Sequence, residues 1–95
     1  MKAIQVQSYG DEECLNKALL PTPEPKEHKV LIRNKVIGVN FIDIYMRRGD
    51  PMILMPLPFI PGVEGAGYVE KVGRNVKDIF PGDRVSYPWS FRFLC

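Results

Sequence analysis

The chain has 95 residues, 45% of them hydrophobic and 25% charged, with a net charge of +2. That length suits one small domain with a modest core, and the hydrophobic share is that of a globular chain, not a disordered one. Arg47-Arg48 is the longest cationic run, so the basic stripe of a nucleic-acid or anionic-membrane surface is missing.

In chain order, Lys2–Gln7 alternates apolar and polar residues and predicts a strand with Ile4 and Val6 on one face. This segment has no signal-peptide core, and no run in the chain approaches the ~20 apolar residues of a membrane helix. Ser8–Cys14 reads as a polar, acidic loop and Leu15–Leu20 as a second strand. Pro21, Pro23 and Pro25 make the next segment an extended one that cannot donate to a central ladder. Lys29–Val39 is the strongest strand signal, and Gly38 near its end predicts a bend or a close backbone approach. Phe41, Ile44, Tyr45 and Arg48 then recur at helical spacing. Asn40 stands at the N-cap, Asp43 in the first turn and Gly49 at the stop. The helix is short, about two turns, and Arg47-Arg48 suit the negative end of its dipole.

Pro51, Pro56, Pro58 and Pro61 predict an extended crossing loop over residues 50–61. Ile60-Pro61-Gly62-Val63 and Phe80-Pro81-Gly82-Asp83 both carry the chemistry of a type II turn. The stretch PGVEGAG, Pro61–Gly67, spaces its glycines G-x-x-G-x-G, the reverse of a dinucleotide fingerprint. Tyr68–Val72 alternates like a strand, which predicts a turn and then a strand over Gly65–Val72 rather than a phosphate cradle at a helix mouth. A turn at Gly73-Arg74-Asn75 and a strand at Arg84–Tyr87 complete the pattern. Short strands, turn glycines and one short helix predict a mainly β fold, a small barrel or rolled sheet. Cys14 and Cys95 show no metal-type spacing, and His28 lies in a polar Lys-Glu-His-Lys stretch that predicts solvation. A cytoplasmic location is the expectation.

Four blocks then combine: VIGVNFID (36–43), PGVEGAG (61–67), V-x-x-V-G-x-x-V (69–76) and PGDRV (81–85). In this order and spacing they resemble the N-terminal, GroES-like half of the medium-chain dehydrogenase/reductase superfamily, nearest its zinc-free, zeta-crystallin-like quinone oxidoreductases. The resemblance covers residues 1–87 and implies a partly open β-barrel with one short helix, incomplete at its C-terminal end. In zinc-dependent relatives a His stands where this chain has Val63 and a Cys where it has Asn40. Neither replacement offers a thiolate, imidazole or carboxylate, so no catalytic zinc is expected. Glu64 stays open between a structural partner for an amide or Arg and a residue beside the reacting centre.

The resemblance implies hydride transfer from NADPH to a quinone or similar electron-poor acceptor, in a parent that is usually homo-oligomeric. Carried over by position, Asn40, Asp43 and Tyr45 are the candidates for catalytic polar contact. Phe41, Ile42, Asp43, Ile44 and Tyr45 are the candidates for contact with the cofactor. Each has a plainer alternative: Asn40 as cap, Asp43 as dipole partner, Tyr45 as core beside Phe41. Residues 88–95 depart from the family and contain no phosphate loop, so the chain reads as a truncated fragment without the dinucleotide-binding domain. A second reading is a non-catalytic GroES-like binding module or a gene remnant.

Overall fold

A computed structural model describes residues 1–88; the expectations for the tail beyond Pro88 lie outside the described residues. Five strands, one α-helix and two single-turn 3-10 helices are described, the strands and α-helix in the order β1 Lys2–Val6, β2 Leu15–Leu19, β3 Val30–Ile37, α1 Phe41–Arg48, β4 Gly65–Val72 and β5 Arg84–Tyr87. The mainly β expectation holds, with helix at Phe41–Arg48 as the cap and stop residues predict. The two 3-10 turns, Glu12–Cys14 and Pro51–Ile53, fall in segments expected to be loops. At Pro51 the reason is local: the Asp50 carboxylate accepts from the Met52 N–H at 2.9 Å, and proline is preset for a first helical position.

The chain divides into two units, residues 1–21 with 39–62, and residues 22–38 with 63–95. In the first, β1 and β2 pair antiparallel from Lys2↔Leu19 to Val6↔Leu15. Val6 also exchanges both backbone hydrogen bonds with Phe59, at 2.8 and 3.1 Å, which fastens the far end of the proline-rich crossing loop to β1. Val6, Cys14, Met46 and Phe59 are the buried apolar residues of this unit, and Cys14 is a free thiol.

In the second unit β3, β4 and β5 form an antiparallel sheet with β4 in the middle. Leu31, Val63 and Val69 are its buried hydrophobic residues. The described residues form these two separate sheets and no closed barrel. Glycine decides how closely β4 approaches its neighbours. A Cβ at Gly67 would lie 2.0 Å from the Arg33 carbonyl oxygen, and one at Gly65 would lie 2.7 Å from the Tyr87 hydroxyl. Tyr87 uses the freed space to reach across β4 and donate to Asn34 Oδ1 at 3.1 Å. The PGD turn is closed twice, Asp83 N–H to Phe80 O at 3.0 Å and Phe80 N–H to Asp83 Oδ2 at 2.9 Å. It docks on β4 through Gly82 N–H to Val69 O and Val69 N–H to Asp83 O.

Ion pairs Lys71–Glu24, Arg74–Glu27 and Arg33–Glu70 decorate the outside of this unit. Beneath them Gly73 fits against the 26–27 backbone, where a Cβ would lie 1.9 Å from the Lys26 carbonyl oxygen. No helix among the described residues is long and apolar enough to cross a membrane.

The glycine argument predicts unequal penalties. Gly67→Ala forces backbone apart and is expected to cost at least about 2 kcal/mol. At Gly10 a Cβ meets nothing nearer than Cys14 at 3.8 Å, so Gly10→Ala should move stability by less than about 0.5 kcal/mol. Urea unfolding followed by circular dichroism ranks the two, and equal midpoints would contradict the packing described.

Candidate functional site

The helix α1 carries all the candidate residues for catalysis and cofactor contact but the cap Asn40, and its two ends fix its frame. At the N-terminus Asn40 is extended, with φ −129° and ψ 163°, and forms a capping box with Asp43. Asp43 Oδ2 accepts from the Asn40 N–H at 2.9 Å, while the Asp43 N–H donates to the Asn40 carbonyl at 3.0 Å. This pairing satisfies backbone donors that a helix start otherwise leaves open and sets a carboxylate at the positive end of the dipole. At the other end Gly49 takes the left-handed conformation, φ +80°, and donates to the Met46 carbonyl, while the Asp50 N–H donates to Tyr45 O. The expected cap and stop are both present.

The faces of α1 differ from one of the alternatives read in the sequence. Met46 is the inward residue, 2% exposed, with Ile42 and Ile44 half-buried. Phe41 is 76% exposed and Tyr45 47%, so the pair at i and i+4 points outward and Tyr45 is not a core residue. The stripe Phe41, Ile44, Tyr45, Arg48 is misleading because Ile42 and Met46 offer an equally apolar i, i+4 pair. Periodicity alone cannot choose between two apolar stripes on so short a helix. Val39, just before the cap, is exposed as well.

Asp43 caps with one oxygen of its carboxylate. Its second oxygen, Oδ1, is sealed from water without a hydrogen-bond partner, and so is Arg47 Nε one turn later. A buried polar atom left open costs about 1–3 kcal/mol, so these two atoms weigh against the stability of the helix.

Three other residues singled out in the sequence belong to the second unit. Val63 is buried there at 2% exposure, and His28 is on the surface. Among the described residues no group of three His, Cys, Asp or Glu side chains is arranged to hold a metal ion. Glu64 lays its carboxyl against Gly38, where a Cβ would lie 2.5 Å from Glu64 Cδ, and Gly38 N–H donates to the Glu64 carbonyl at 3.3 Å. This is the close approach that Gly38 predicts. Glu64 also borders an open groove of about 440 Å³ lined by Val36, Ile37, Ala66, Ser86 and Tyr87. In the first unit, sequence reasoning missed Tyr9, whose ring lies against Gly49; only its place beside a glycine in a polar loop could have pointed to it.

Residues 26–95 match the family described as the alcohol dehydrogenase GroES-like domain. A quinone oxidoreductase of Salmonella typhimurium is 43% identical over 90 residues, which cover 92% of this chain and 26% of that protein. An alcohol dehydrogenase of Rhizobium meliloti is 38% identical over 89 residues, 94% of this chain and 26% of that one. The crystal structure of Escherichia coli quinone oxidoreductase complexed with NADPH superposes with a TM-score of 0.88 at 40% identity, covering 95% of this chain and 27% of that one. The chain thus spans about a quarter of the length of the relatives it matches.

If the cap holds the helix as its geometry indicates, Asn40→Ala and Asp43→Ala should each cost about 1 kcal/mol. The double variant should cost less than the sum, since both act on one capping box. A urea-unfolding cycle measures this, and strict additivity would mean that the two residues act separately.

Proposed function

The chain belongs to the alcohol dehydrogenase GroES-like domain family, and from that premise we propose that it is the nicotinamide-facing part of a zinc-independent, NADPH-dependent quinone oxidoreductase. The observation that carries this reading is the outward aromatic pair of α1, Phe41 and Tyr45, held in a fixed frame by the Asn40–Asp43 box. Its support is the identity to quinone oxidoreductases and the superposition on one complexed with NADPH.

The residues present fit the nicotinamide end of that cofactor. Phe41 and Ile42 supply an apolar wall that keeps water from the reacting face. Tyr45, 47% exposed, presents a hydroxyl beside it. When bound, the reduced nicotinamide supplies a hydride to a quinone-like acceptor, so the chain's own work is orientation, dryness and a few polar contacts. Asn40 keeps the first turn of α1 in register, and Tyr45 delivers or holds a proton at its hydroxyl as the acceptor oxygen is reduced. The phosphates need a different apparatus, a glycine loop at a helix N-terminus. Gly65 and Gly67 do not provide it, because they lie inside β4 and serve strand packing.

Zinc has no part in this reading. Val63 and Asn40 stand where zinc-dependent relatives carry His and Cys; Val63 is sealed in apolar surroundings and Asn40 is engaged in its cap. The likeness to an alcohol dehydrogenase is compatible with this reading, since a shared scaffold does not fix the chemistry.

Two measurements test the proposal. The purified chain should hold no stoichiometric zinc by elemental analysis and should not oxidise NADPH above background with a benzoquinone acceptor. Residues 1–87 joined to the dinucleotide-binding domain of a quinone oxidoreductase should turn over, and Tyr45→Phe should lower kcat by on the order of tenfold, the worth of one hydrogen bond of ~1.4 kcal/mol. Robust turnover by the 95-residue chain alone, or a fusion active only with added zinc, would overturn it.

A further inference from the structure

The loop after β1 makes three contacts that converge on one end of α1. The Tyr9 ring lies against Gly49, so close that a Cβ there would sit 2.7 Å from Tyr9 Cγ, 3.0 Å from Cδ1 and 3.1 Å from Cδ2. The Tyr9 hydroxyl donates to the carbonyl oxygen of Met55 in the crossing loop. The next residue, Gly10, donates its N–H to the Arg47 carbonyl at 3.0 Å, occupying an acceptor that the last turn of a helix otherwise leaves to water. Gly49 is therefore constrained twice, by a φ of +80° and by the ring above it. The Asp50 N–H beside it holds the carbonyl of Tyr45.

We propose that Tyr9 is a positioning residue: it locks the C-terminal end of α1 to the crossing loop and thereby sets the direction in which Phe41 and Tyr45 project. The inference rests on the functional reading above for its consequence, but the lock itself stands on contacts within one unit of the chain. The polar cap at Asn40–Asp43 fixes where α1 starts; Tyr9 fixes how the helix is rolled, because a flat ring on a left-handed glycine admits one orientation of the last turn. A ring with a hydroxyl does both parts of the task. Phenylalanine would keep the stacking on Gly49 and lose the tie to Met55.

The test uses two readouts. In the 95-residue chain, Tyr9→Ala should raise amide hydrogen exchange at Gly49 and Asp50 at least about tenfold, while Val69 and Gly73, bonded to Asp83 and Lys29 in the other unit, exchange as before. Tyr9→Phe should restore most of the protection. Unchanged exchange at Gly49 and Asp50, or an equal rise at Val69 and Gly73, would overturn the lock. In the fusion with a dinucleotide-binding domain, Tyr9→Ala should reduce kcat severalfold with little change in KM for NADPH, and Tyr9→Phe should recover it. A fusion that is active but indifferent to Tyr9→Ala would also refute the positioning role. An inactive wild-type fusion would count against the functional reading alone, and the exchange result would still decide the lock.

Discussion

In β4 the space for a side chain at residue 67 is taken by the carbonyl oxygen of Arg33, 2.0 Å from where a Cβ would stand. The middle strand of the three-stranded sheet can pair with β3 there only with hydrogen at that place. One further contact of the sheet spans that pairing: Tyr87 crosses above Gly65 to Asn34. The glycines of PGVEGAG are thus there for backbone approach, the use that glycine serves inside strands. A motif that resembles a nucleotide cradle by composition is a packing device by position.

Much of this was legible in the residues. Strand alternation and turn chemistry marked β4 and β5 at their observed limits, and Asn40, Asp43 and Gly49 marked α1 from end to end. These signals are local: a cap needs its partner three residues away, a turn its Pro-Gly pair, and neither waits for distant chain. Strand ends were less sharp, with β3 spanning Val30–Ile37 and not the whole of 29–39. Long-range contacts stayed hidden. Nothing near Tyr9 announces that its ring will meet Gly49, about forty residues on, or its hydroxyl Met55. The choice between two apolar stripes on α1 was equally out of reach, since which stripe is buried depends on the rest of the unit and not on spacing.

At the candidate site the same division applies. The candidate residues were named by position, but what each of them touches is a matter of geometry. Asn40 and Asp43 pair with each other at the helix start, while the rings of Phe41 and Tyr45 stand exposed. A helix of eight residues is marginal by itself, because nucleation is costly and few backbone bonds repay it. Fastening at both ends, by the Asn40–Asp43 box and by Gly49 and Asp50, is therefore what holds so short an element in place.

The ion pairs of the second unit differ in kind from the glycine beneath them. Lys71–Glu24, Arg74–Glu27 and Arg33–Glu70 lie at the surface, where such pairs contribute little and salt screens them. Any residues of opposite sign, in either order, would serve as well. Gly73 has no substitute, because the Lys26 carbonyl occupies the place of its side chain. Over evolutionary time the charges on this face are free to be rewritten in pairs or lost, whereas the bare carbon under them is not: drift will erase the visible bridges long before it touches the silent residue that makes room for them.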